Sequence, residues 1–176
     1  PGISYNVLII DSEGKGYDEI LISRSKDVKE TIARLKVGQR SDWIVETFNT
    51  DKGVRKGRFY FYLVELDKEA KFIKLYVSAI NTAEPYTMPE ELTSEIEKVA
   101  GPYMEVDDPW AYMDRWVTLE FYMDQLRAHV EWWTKVTRYI IDNKEWDMIF
   151  SCVFTVDHLQ HVLYGGIEPR SRHYNK

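Results

Sequence analysis

The sequence predicts an α/β protein, α+β in its local arrangement, and three observations carry that prediction. Strand-type alternation fills the first half, helical periodicity dominates the stretch after Asp108, and an unbroken apolar run over 148–156 follows the helix. Three segments result. Residues 1–82 read as a β-rich module with an antiparallel sheet, and 83–108 as a proline-punctuated connection with one short helix. Residues 109–176 carry a long helix and a buried strand that leads into a helical turn. Together they are expected to form one compact unit.

Each element has a local reason. YNVLIID (5–11) is an apolar run halted by Ser12-Glu13-Gly14-Lys15-Gly16, and YDEILISR (17–24) follows at hairpin distance. KDVKETIARL (26–35) puts Val28, Ile32 and Leu35 on one face, as a short helix or irregular connection would. WIVETF (43–48) reads as a third strand. GRFYFYLVEL (57–66) and AKFIKLYVSAI (70–80) form the clearest pair, turned by Asp67-Lys68-Glu69. In the second of them Ile73, Leu75, Val77 and Ala79 alternate with Phe72, Lys74, Tyr76 and Ser78. That pattern belongs to an antiparallel sheet covered on one side.

Beyond Asn81 the punctuation changes. Pro85, Pro89 and Pro102 mark a connection in which Thr87 and Glu90 stand at capping-box spacing and Gly101 at a helix stop. Asp108-Pro109 opens the long helix, the carboxylate capping and the proline filling the first turn. Along it Tyr112, Trp116, Leu119, Met123, Leu126, Val130, Trp133, Thr137 and Ile140 recur at steps of four and three. Trp132, Val136 and Tyr139 widen that stripe, so a helix packed within its own chain is favoured over a coiled-coil homodimer. His129 lies beside the stripe and reads as structural. MIFSCVFTV (148–156) suits a strand buried on both faces, with Ser151 and Cys152 inside it.

Composition narrows the classes. The chain has 176 residues, is 44% hydrophobic and 30% charged, and contains no apolar stretch of membrane-spanning length. No secretory signal is recognised at its start, so a cytoplasmic setting is the expectation. Net charge is −6, which argues against a nucleic-acid coat, although Arg24, Lys26, Lys29, Arg34, Lys36 and Arg40, then Arg55, Lys56 and Arg58, cluster locally. Such clusters are ordinarily solvated faces, and they could also steer a small anion. Cys152 is the only cysteine, so no internal disulfide forms. Abundant Lys and Glu beside three glutamines lean towards a thermophilic source.

Asp157 and His161 are the candidate metal ligands. They stand four residues apart, just past the carboxyl end of the expected buried strand, where ligands gather in open α/β sheets. A carboxylate oxygen and an imidazole nitrogen are ordinary zinc donors, and the i, i+4 spacing brings them to one side of a turn. With 29 acidic residues in the chain, an acid four positions before a histidine arises readily by chance. Zinc also wants three or four ligands. His158 points to another side of the turn, and His173 is a third candidate without further support.

A longer pattern adds to the pair. Glu145-Trp146-Asp147, the apolar run, Asp157-His158-Leu159-Gln160-His161, Ile167-Glu168-Pro169 and His173-Tyr174 together resemble a segment of the type I phosphodiesterase/nucleotide pyrophosphatase family, within the alkaline phosphatase superfamily. A looser likeness runs upstream through Gly38 to Ile44, the Gly101-Pro102-Tyr103 step and the long helix. The resemblance implies an internal fragment of an α/β sandwich whose two-metal site, usually zinc, hydrolyses phosphate esters, diesters or pyrophosphates, with nucleotides among its substrates. Asp157 and His161 match the aspartate and histidine that hold one metal. The family's nucleophilic Thr or Ser, its early Asp, its later Asp-His pair and its final His have no matching positions, so the chain alone is expected to be catalytically silent. A sulfatase or a cofactor-independent phosphoglycerate mutase shares the scaffold and stays open. So does a non-catalytic assembly module that dimerises through the long helix.

Overall fold

Two carboxylates shape the first connection. Asp11 accepts from the N–H groups of Lys15 and Gly16 at 3.0 and 3.1 Å, and Asp18 accepts from the Ser12 N–H and hydroxyl at 2.7 and 2.6 Å. Gly16 sits at φ +104°, which a side chain would strain. The turn lays β1 (Asn6–Ile10) antiparallel on β2 (Glu19–Ser23), Leu8 opposite Leu21. This computed structural model describes residues 2–104 and 107–171, in two units, Pro1–Glu84 and Pro85–Lys176.

In the first unit, 26–35 forms one short 3-10 turn, Val28–Glu30, capped by Asp27, and then β3 (Thr31–Lys36). Cross-strand pairing decides for strand here: Ile20 faces Leu35 and Ile22 faces Ala33, all four buried. β4 (Ile44–Thr50) and β5 (Gly53–Phe59) make a hairpin. The run 57–66, expected as one strand, divides at Tyr60, because hydroxyls take over its backbone. Tyr60 N–H donates to Ser78 Oγ at 3.0 Å and Phe61 N–H to Ser41 Oγ at 2.9 Å. Beyond the break, β6 (Phe61–Leu66) pairs antiparallel with β7 (Ile73–Val77), and β8 (Asn81–Thr82) adds to β5. The expected covered face of β7 is corrected: Tyr76 and Ser78 are buried while Ile73 and Val77, on the face expected to be covered, are exposed.

The core of this unit gathers Ile20, Ile22, Leu35, Ile44, Phe59 and Leu63. Gly57 is required by close approach, since a Cβ there would meet Ile80 at 2.5 Å and Phe48 at 2.9 Å. Much of the basic cluster is paired. Arg34 grips Glu19 through two 2.6 Å bonds, Arg24 meets Glu46 at 2.7 Å, Lys36 meets Asp18 at 3.0 Å, and Arg40 lies 4.9 Å from the centre of the Tyr60 ring.

In the second unit, α1 (Glu91–Ala100) starts without the expected capping box. The Thr87 hydroxyl is engaged with Pro89 O and the Thr93 hydroxyl instead, at 2.7 and 2.8 Å. The single long helix is also corrected. Asp108 does cap α2 (Pro109–Met113), accepting from Ala111 N–H at 3.0 Å, but Arg115 at φ +60° breaks the helix. Val117 turns inward, and Thr118 caps a new start, its hydroxyl accepting from Phe121 N–H at 3.2 Å; α3 (Leu119–Asn143) follows.

The buried face of α3 is rotated from the apolar stripe. It runs Phe121, Tyr122, Gln125, Leu126, His129, Trp132 and Val136, while Leu119 and Val130 are exposed. Two polar residues with internal partners lie on that face, so counting apolar side chains alone misplaces it. α3 packs on α1 through Ile96, Trp132 and Val136, and Trp132 Nε1 donates to Gly101 O at 3.1 Å.

The largest correction concerns 148–156. The expected buried strand is an irregular exposed stretch up to Phe154, with Met148 71% and Phe150 90% exposed. A central strand needs neighbouring strands to take its backbone hydrogen bonds on both edges, and no strand lies among the described residues of this unit. Cys152, expected in a packed core, is exposed with its neighbours. α4 (Thr155–Ile167) then begins. No helix among the described residues is long and apolar enough to cross a membrane.

Candidate functional site

The first turn of α4 carries the chemistry, and α3 fixes where that turn begins. Trp133 Nε1 donates to His129 Nε2 at 2.9 Å, so the neutral His129 ring carries its proton on Nδ1 and donates to Thr155 Oγ1, also at 2.9 Å. His129 is therefore structural, as its place in the sequence suggested. It anchors Thr155, the one buried residue of α4.

Two residues on, Asp157 stands in the first turn, where a carboxylate interacts favourably with the helix dipole. His161 lies one turn further. Their side chains meet, Asp157 Oδ1 to His161 Nε2 at 3.5 Å, with 59% and 77% of their surfaces exposed. Asp157 is thus a helix-surface carboxylate rather than a group at the rim of an interior strand. The helical spacing that brings it to His161 is nevertheless present.

The neighbouring His158 has the more constrained setting. Its Nδ1 lies 2.9 Å from Oδ1 of Asp107, a carboxylate with no exposed surface. Asp107 Oδ2 and the Tyr122 hydroxyl are both buried without a well-formed hydrogen bond. Burial raises the Tyr122 pKa, and the Asp107 carboxylate beside it raises it further. The His158 ring stacks on Phe154, centroids 6.1 Å apart at 14°. Sequence reading passed over this pair because its members are 51 positions apart and no periodicity links them. The only local signal is the doubled acid Asp107-Asp108 before Pro109, of which Asp108 serves the helix cap.

The donor set can be compared with a zinc-class cation. Asp157 and His161 offer oxygen and nitrogen donors on one side of a turn, and neither is locked by burial, so the pair suits one edge of a coordination sphere. No group of three or more His, Cys, Asp or Glu side chains suited to holding an ion is assembled among the described residues. His173 lies outside them. The chain matches no family model, no curated protein and no solved structure.

Proposed function

We propose that this chain is a segment of a metal-dependent phosphohydrolase of the phosphodiesterase/nucleotide pyrophosphatase type, built on an alkaline-phosphatase-like α/β sandwich. In this reading it supplies part of one metal site and is inactive alone. The observation that carries the reading is the Asp157–His161 pair, 3.5 Å apart across the exposed first two turns of α4, within the sequence pattern of that family. When bound, a divalent cation, zinc by the family's habit, would polarise a phosphoryl oxygen and stabilise the charge developing in an in-line displacement. Asp157 and His161 would hold it. His129, through Thr155, would keep the turn in place.

In the intact protein that carries this chain, Asp157→Asn and His161→Ala should each lower metal-dependent hydrolysis of bis(p-nitrophenyl) phosphate. The loss should exceed the roughly 10–100-fold of an outer-shell change. Activity retained in either variant overturns the assignment of that residue.

A second reading has its own support. Val130 and Ile141 are exposed on α3, beside a groove lined also by Trp133 and Val153, as an assembly module joined through this helix would require. Light scattering separates the two: a stable dimer insensitive to EDTA, with no metal in elemental analysis, favours assembly.

A further inference from the structure

We propose that the groove along the outer face of α3 binds an amphiphile, a medium-length saturated chain ending in a carboxylate, with the chain in the groove and the carboxylate on Arg138. The site involves neither Asp157 nor His161, and it stands or falls independently of the phosphohydrolase reading.

The lining sets the chemistry of the tail. Val130, Trp133, Thr134, Thr137 and Ile141 form one strip of α3 at steps of three, one, three and four, and Val153 faces them from the irregular stretch. The polar groups of this strip are turned away. Trp133 Nε1 donates to His129 Nε2 at 2.9 Å, and the Thr134 hydroxyl donates back to Val130 O at 2.7 Å, leaving its methyl group for the groove. The hollow measures about 390 Å³, within the range of small-molecule sites. A partner helix is about 10–12 Å across, and two turns of it fill about 1,000 Å³, so the hollow seats an extended chain instead.

Arg138 sets the chemistry of the head. It is the one charged residue among the described residues that line the groove. Its Nε lies 3.5 Å from Oδ2 of Asp142, with 83% and 56% of the two side chains exposed. That contact is loose and engages one nitrogen of a group with five N–H donors, which match a carboxylate in a fork. From Arg138 back to Val130 the helix rises roughly 12 Å, the length of an extended chain of about ten carbons. The groove thus has an apolar length and one cationic end.

Titration with sodium decanoate in the presence of EDTA tests this, read from the methyl signals of Val130, Ile141 and Val153 in 1H–13C spectra. These signals should shift together and saturate. Hexanoate, four methylenes shorter, should bind at least tenfold more weakly, since each buried CH₂ is worth about fourfold. Decyltrimethylammonium carries the same chain with the opposite charge and should also bind more weakly than decanoate. Non-specific binding to a chain of net charge −6 would give the reverse order. Arg138→Gln, at an exposed position, should cost decanoate roughly 3–10-fold, and Asp142→Asn should tighten it by up to about threefold. Equal or stronger binding of the cation, or an Arg138→Gln variant that binds decanoate unchanged, overturns the proposal. So do decanoate-induced shifts that leave these three residues unmoved. If light scattering then shows a dimer, the α3 face belongs to the assembly reading.

Discussion

The first unit and the last thirty described residues use apolar sequence in opposite ways. In Pro1–Glu84, alternation becomes burial: Ile20, Ile22, Leu35 and Leu63 are each at most 2% exposed, and the charges around them find partners such as Glu19–Arg34 and Glu46–Arg24. In 148–154, a run at least as apolar stays exposed, and the ionisable groups that follow it on α4 meet at the surface. Hydrophobicity states a demand for partners, and only the topology meets it. β6 has β7 as neighbour. The 148–154 stretch has no strand beside it among the described residues of its own unit.

Three substitutions or titrations would break or sharpen that contrast. The largest effect is expected at Leu63, fully buried in the middle of β6. Leu63→Ala should cost about 2–5 kcal/mol, through lost transfer energy and the cavity left behind. Urea unfolding checks it, and a loss below about 1 kcal/mol would mean that this core is looser than its burial indicates.

An intermediate effect concerns Glu19. The Arg34 guanidinium, bonded through two nitrogens, holds the Glu19 carboxyl below the usual carboxylate range. The folded state therefore releases the Glu19 proton more readily than the unfolded state does. The resulting stabilisation is complete above pH about 4.3, the ordinary glutamate value, and is lost as pH falls from there through the folded pKa. Urea midpoints for the wild type should consequently fall more steeply than those of Glu19→Gln as pH drops below about 4.3. Parallel profiles would remove the pair from the account of stability.

The smallest effect is expected at Phe150. At 90% exposure, Phe150→Ser should move stability by less than about 0.5 kcal/mol. A cost comparable to that of Leu63→Ala would show that the run is covered in solution, and the contrast would collapse.

Several elements were legible beforehand. The β1–β2 hairpin, the β6–β7 pair, the Asp108-Pro109 helix start and the Gly101 stop are written in local turn and capping chemistry, which acts over a few residues. The i, i+4 relation of Asp157 to His161 is likewise a property of helical geometry. The division at Tyr60 was not legible, because it depends on the Ser41 and Ser78 hydroxyls, 20 and 18 residues from the backbone positions they bind. The facing of α3 was hidden because Gln125 and His129 count as polar in a pattern, yet are buried with partners on other elements.

By itself the sequence determined the two-part character of the chain, β-rich and then helical, together with the turns, the caps and the spacing of the α4 donors. Tertiary structure alone decided that Asp107 stands behind His158, that His129 secures Thr155, and that 148–154 goes without strand neighbours among the described residues. The reason is range. Backbone preference and side-chain periodicity act along one element, whereas desolvation and hydrogen-bond pairing of buried polar groups depend on which distant segments the fold brings together.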